Sequence, residues 1–342
     1  MSSKPVLSIV VETGTRQFTG RISFKKMMQS HLAEAKRTLS DSQFELIFVG
    51  TGDSPKKLPK NCRYLDRPQT GYYGFKNDGS KAARGKYVLF WDSDCRANKG
   101  YIKLLLGLFK DNPDLIAIGG RTFYDNQHLF GRVNTIFSFG PFCRAPERLT
   151  DLSVITHNVS ILKSAFPSHP FGPYTARSGG DIFLTQYALK KGKPVLFDKR
   201  LVIFHEDIST HFGATMERRV RDLFHPALFM KSKSQWEVLA RGFVNCPMLF
   251  LKRIRRILIY RKDFNIRCWE LPGVALIMVS YAFLEISALL IMTAYPPLLS
   301  KWLNFQFGPK WMKTQGINQQ ASFFYKKPPT ESREGLPAIT PT

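Results

Sequence analysis

The first two hundred residues alternate short, unbroken apolar runs with longer amphipathic stretches. Residues 6–11 (VLSIVV), 44–49 (FELIFV) and 87–91 (YVLFW) read as strands buried on both faces. Residues 62–65 and 115–118 read as two shorter strands. Between them, residues 24–39, 76–83 and 101–110 place apolar side chains at helical spacing. The alternation predicts an α/β fold: a Rossmann-like, mostly parallel sheet flanked by helices. No internal repeat interrupts it.

The pattern changes near the C-terminus. Residues 243–261 (FVNCPMLFLKRIRRILIYR) mix Leu, Ile and Phe with Lys252, Arg253, Arg255 and Arg256. Such a helix suits the surface of an anionic leaflet, or a packed helix with one solvated basic face. Residues 271–295 (LPGVALIMVSYAFLEISALLIMTAY) are apolar over the ~20 residues that a bilayer core requires. Trp269 and Tyr295 bracket this run, and Pro296 and Pro297 end it. It is expected to be a transmembrane helix, with a flat-lying membrane helix or a buried core helix as the alternatives. Glu285 is costly at its centre. The segments are therefore 1–215, a catalytic domain; 216–270, a basic membrane-proximal segment; 271–295, the apolar helix; and 296–342, a partly disordered tail.

Charge sharpens this division. The 342 residues hold 50 Lys and Arg against 26 Asp and Glu, a net +24. Residues 216–270 carry 13 basic and 5 acidic side chains, so the densest positive charge adjoins the most apolar run. That is the arrangement found on the cytoplasmic flank of a membrane helix. The five cysteines have no paired short spacing, which excludes a disulfide-dense module and a cysteine-type zinc site. The N-terminus has no signal-peptide pattern, so the catalytic part is expected at the cytoplasmic face of the inner membrane. The Asn158 sequon then carries no glycan. No helix-turn-helix, zinc-finger or RNP-type motif accompanies the charge, and nucleic acid is not an expected partner.

In open α/β sheets, ligands bind at the carboxyl ends of strands. Three polar groups stand there: Glu12-Thr13-Gly14, Gly50-Thr51-Gly52-Asp53 and Asp92-Ser93-Asp94. Two carboxylates after a very apolar strand need compensation. A divalent cation shared with substrate phosphates supplies it, although a loop Asp that caps the next helix has the same pattern.

Residues 71–95 (GYYGFKNDGSKAARGKYVLFWDSDC) resemble the family 2 glycosyltransferases of the GT-A fold. The matching positions are Asn77, Gly79, Ala82, Ala83, Gly85, Asp92 and Asp94. The first two strands, residues 156–166 (THNVSILKSAF) and residues 179–205 follow in the family's order. The resemblance spans roughly residues 5–225, a domain of ordinary size. It implies a metal-dependent, inverting glycosyltransferase using Mn²⁺ or Mg²⁺, with a nucleotide-sugar donor. An anchored enzyme of this kind meets a lipid-linked or polysaccharide acceptor, with anionic membrane lipid as a further partner.

The resemblance also assigns roles. Asp94 is the direct metal ligand, and His205 a third ligand or phosphate contact. Asp92 holds the donor ribose or a metal-bound water, and Asp181 is the general base. Asn77, Glu12 and Asp53 fall on the donor side, and Asn158 on the sugar or acceptor. On the residues alone, Asp181 also fits a helix N-terminal charge, and His205 a locally bonded strand-end His. Lys76 is a weak phosphate candidate, and His157, His169 and His211 are weaker histidines. Two departures stand out. Gly50-Thr51 replace the acids usual after the second strand, and Gly180-Asp181 replace a Glu-Asp pair. The alternatives are a sugar-phosphate nucleotidyltransferase on the same fold and a non-catalytic basic binding protein. Glu12-Thr13-Gly14-Thr15-Arg16 is a poor phosphate loop for the first of these.

Overall fold

The computed structural model describes residues 4–13, 23–52, 57–67, 72–124, 128–145, 148–149, 154–172, 180–193, 195–205, 219–220, 223, 235–299 and 301. Nine strands form one sheet among them. In chain order these are β1 (Leu7–Glu12), β2 (Phe44–Gly50), β3 (Cys62–Asp66), β4 (Tyr87–Asp92), β5 (Cys95–Ala97), β6 (Ala117–Tyr124), β7 (Arg148–Leu149), β8 (Val159–Leu162) and β9 (Val195–His205). The helices are α1 (Phe24–Lys36), α2 (Tyr72–Ala82), α3 (Tyr101–Asp111), α4 (Leu129–Cys143), α5 (Gly180–Lys190), α6 (Gln235–Tyr260) and α7 (Leu271–Ala294).

The sheet order is β3-β2-β1-β4-β8-β6-β9-β5, with β7 on β9. The β3-β2-β1-β4 half is parallel, as the apolar runs predict. The other half is mixed: β8 runs antiparallel to both β4 and β6, β5 and β7 run antiparallel to β9, and β6 and β9 run parallel. The chain leaves β1 toward β2 on one side and returns to β4 on the other. The gap between β1 and β4 is thus the switch point at which α/β sheets open a crevice. Glu12 and Asp92 are direct partners across it.

Alternate side chains of the central strands feed two cores. Leu7, Ile9, Val11, Leu89 and Trp91 face α1 and α3. Val10, Val88 and Phe90 join Tyr73 and Phe75 of α2 and Leu184 and Ala188 of α5 on the other side. Burial on both faces explains why these strands read as unbroken apolar runs. The sixth strand starts two residues later than the pattern suggests and runs on to Tyr124. The second helix begins at Tyr72, four residues ahead of its predicted start.

A third cluster lies outside the sheet. Val133, Ile136 and Phe137 of α4 pack with Ile257 of α6 and with Val274, Met278 and Tyr281 of α7. Glu285 is completely buried, and it is not alone there. Arg253 of α6 donates to both of its carboxylate oxygens, at 3.0 and 2.5 Å. The Tyr281 hydroxyl donates to Asn134 Oδ1 at 2.7 Å, and Arg132 of α4 pairs with Glu270. Inward-facing polar residues thus tie α7 to α4 and α6, and its outer face stays apolar and exposed.

Breaking a buried pair leaves one charge without compensation, whereas replacing both members removes the desolvation cost with the attraction. Glu285→Leu is expected to lower stability by about 3–5 kcal/mol. The double variant Arg253→Met/Glu285→Leu is expected to recover most of it. Thermal unfolding in detergent checks the difference.

Candidate active site

The carboxyl edge of the sheet gathers the predicted side chains through register. β8 begins where β4 ends, because the two run antiparallel from the Phe90–Val159 pair. That brings Thr156 and His157 beside Asp92. On the next strands, His205 is the direct partner of Cys95 on β5 and of Tyr124 on β6.

Asp92 is the most heavily engaged group. Lys76 Nζ lies 2.5 Å from its Oδ1, and the Lys76 side chain is 0% exposed. The Tyr72 hydroxyl donates to Oδ2 at 2.8 Å and stands 3.1 Å from Thr156 Oγ1. Burial pushes the Asp92 carboxyl up, but the Lys76 ammonium outweighs it. The carboxyl is held below its usual range. Burial and the Asp92 charge push the Tyr72 phenol well up, so it stays a donor.

Asp94 and His205 come together, with Nε2 of His205 3.6 Å from Oδ1 of Asp94. His157 is the addition. Its Nδ1 is 3.6 Å from Asp92 Oδ2, beyond hydrogen-bond range. Its Nε2 is buried with no hydrogen-bond partner. Its ring centroid lies 4.7 Å from that of His205. Burial, aided by His205, lowers its pKa to about 3, so the imidazole is neutral. Burial, with Asp94 and Asp92 nearby, pushes the Cys95 thiol well up, and Sγ faces Asp94 Oδ1 at 3.9 Å.

Asp92, Cys95, His157 and His205 each offer a ligand atom, all within 4.8 Å of one another. Opposite ligands of one ion at ~2.1 Å stand about 4.2 Å apart, so the set is close to a coordination shell. A neutral imidazole with an unpartnered nitrogen is the ligating form of His. These residues therefore fit a divalent cation.

Asp181 opens α5, and the Tyr73 hydroxyl reaches its Oδ1 at 3.4 Å. The Gly180 departure has a steric reason: a Cβ there would sit 2.7 Å from the Tyr73 ring. The ring fills the space of the second acid. Gly50 is comparable, since its Cβ would come within 2.0 Å of Thr13 Oγ1, and Thr13 Oγ1 is itself bonded to the Val49 carbonyl.

Two of the expected site residues are held by backbone groups. Asn158 is 0% exposed. Its Oδ1 accepts from Tyr101 at 2.6 Å, and its Nδ2 donates to the carbonyls of Arg121 at 2.6 Å and Leu201 at 3.2 Å. The amide braces β6 and β9 and has no exposed atom for a sugar. Asn77 donates to the Gly172 carbonyl at 2.7 Å and accepts from the Phe171 amide at 3.1 Å. It pins that turn. Glu12 is buried at the edge, level with Asp92. Asp53 and His211 lie outside the described residues. Sequence reasoning undervalued Lys76 and His157 and missed Tyr72, Tyr73 and Cys95. Their one local signal was proximity to Asn77, Asn158 and Asp94.

This edge thus gathers an acidic pair, a paired lysine and two histidines at the switch point of an α/β sheet. Residues 44–167 match the family described as Glycosyl transferase family 2. The chain carries a family 2 glycosyltransferase domain across those residues. Such a domain supports glycosyltransferase activity and implies a nucleotide-sugar donor and an acceptor. No curated protein matches the chain.

Neutral His157 makes the metal-free site acid-sensitive. Its folded pKa lies below the unfolded value, so its contribution is complete above about pH 6.5 and declines as pH falls toward 3. The slope approaches ~1.4 kcal/mol per pH unit. Asp92 adds loss of the same sign at lower pH, and buried His31, lowered to about 4, adds a parallel one. Denaturant melts of chelator-treated protein from pH 7.5 to 5 should show this slope, and His157→Gln should flatten it by one proton's share.

Proposed function

We propose that the chain is a metal-dependent, inverting glycosyltransferase acting at the cytoplasmic face of the membrane. It moves a sugar from a nucleotide-sugar to a lipid-linked or polysaccharide acceptor. The observation that carries this reading is the meeting of Asp92, Cys95, His157 and His205, with Asp94 beside His205, at the switch point of a family 2 domain. An exposed apolar C-terminal helix beside a basic one supports the membrane location.

Asp92, Cys95, His157 and His205 would hold the cation, with Asp94 beside His205 as a further ligand. When bound, it supplies Lewis-acid neutralisation of the diphosphate leaving group. Lys76 and Tyr72 keep Asp92 ionised and oriented toward the donor ribose. Glu12 and Asp53 contribute to the donor side. Asp181 takes the acceptor hydroxyl's proton as the oxygen bonds to the anomeric carbon and the nucleoside diphosphate departs. Tyr73 orients that carboxylate.

Imidazole donors suit Mn²⁺ better than Mg²⁺, which prefers all-oxygen shells. Transfer is therefore expected to be higher with Mn²⁺. Donor hydrolysis or transfer in membranes should fall at least about 100-fold in Asp94→Ala, and equal activity would remove Asp94 from the metal assignment. Asp181→Asn should keep donor binding, read by nucleotide-dependent thermal shift, while transfer drops by about 10²–10⁴. Unchanged transfer would refute the base role.

A further inference from the structure

The length of α7 does not decide how it meets a bilayer. Its 24 residues extend ~36 Å, enough to cross. Its neighbours are more informative. Arg253 is locked to Glu285, so the later part of α6 sits level with the middle of α7. Lys252 and Arg255 are exposed on α6, within ~3 Å of Arg253 along the helix axis. A crossing α7 would carry both cations into hydrocarbon, where charged side chains are costly.

The first half of α7 is equally constrained. Leu129 packs at Gly273, Arg132 pairs with Glu270, and Asn134 accepts from Tyr281. These residues belong to α4, whose other side reaches the active site. Thr135 Oγ1 accepts from the Tyr124 amide at 3.2 Å, and the Phe139 ring lies 5.9 Å from that of His157. Sinking α7 through Tyr281 would draw α4 and the sheet edge down with it.

The exposed surface points the other way. Leu276, Val279, Phe283, Ile286 and Leu290 form one apolar stripe along all of α7. On α6, Val244, Met248, Leu251 and Leu258 are exposed as well, interspersed with exposed Arg241, Lys252 and Arg255. Trp269 and Tyr295, at opposite ends of α7, are both exposed, as interfacial aromatics are. An apolar face of this length with cations beside it matches one leaflet containing anionic lipid.

We propose that α6 and α7 lie in the plane of a single anionic leaflet, and that α7 does not cross the membrane. This rests on the membrane location proposed above and fixes its topology. The catalytic domain then stands on the leaflet, with α4 between the lipid-facing helices and the active site.

Sidedness of thiols tests it. Cys268 is exposed at one end of α7, and Tyr295→Cys in a Cys268→Ser background places a thiol at the other. In full-length protein expressed in bacterial cells, an impermeant maleimide should label both positions in inside-out membrane vesicles and neither in intact spheroplasts. Labelling of the two positions from opposite sides would overturn the flat topology while upholding the membrane location. Recovery of the chain as a soluble species, monomer or dimer, would overturn both. For the lipid charge, purified protein is floated with vesicles of equal parts phosphatidylcholine and phosphatidylglycerol. The surface variant Lys252→Gln/Arg255→Gln should bind these about 25-fold more weakly, since each cation contributes about fivefold. Binding unaffected by that change, and equal on pure phosphatidylcholine, would overturn the anionic requirement.

Discussion

The carboxyl edge of the sheet depends on one buried ion pair, Lys76 with Asp92. Two full charges removed from water are tolerated only when their geometry is good and their remaining hydrogen-bonding capacity is met. Here the lysine is supplied by α2 and the aspartate by the end of β4, so the pair fixes how that helix sits on the sheet. Tyr72, one helical turn before Lys76, reaches the other oxygen of the same carboxylate. Tyr73 reaches Asp181, and Asn77 holds the turn at residues 171–172. Seating one short helix therefore positions the ionised acid, the residue assigned as base and the wall behind both.

A second constraint acts through α4. Few of its residues are strong helix formers, and it contains Gly131, Gly140 and Pro141. Its helicity is maintained by what it packs against: Tyr124 and His157 on one side, α6 and α7 on the other. A helix with weak intrinsic propensity and two partnered faces joins the carboxyl edge of the sheet to the apolar helices.

This explains what the sequence could and could not reveal. Strands β1, β2 and β4 were readable because burial on both faces demands unbroken apolar runs. The start of β6 was misplaced because it uses small residues such as Ala117, Gly119 and Gly120, which carry little hydrophobic signal. The helix α4 was not anticipated, since its stability is tertiary. At the site, Asp92, Asp94 and His205 stand at strand ends, where position alone draws attention. Lys76 and His157 lacked that cue because their partners are far away in the chain. Asn77 and Asn158 were legible as constrained positions but were assigned to ligands, whereas backbone amides and carbonyls occupy them. The cost of leaving such buried groups unpaired is a sufficient reason for their presence.

The contact between Gly180 and the Tyr73 ring couples two positions that lie far apart in the chain. A side chain of any size at 180 requires the ring at 73 to shrink or turn away, and that ring also orients the carboxylate next to Gly180. The two positions thus form a single unit of substitution. Relatives with the usual acid at the first of these helix positions should carry a smaller or differently placed residue where this chain has Tyr73. The identity of that one aromatic then sorts domains with a single carboxylate from those with two.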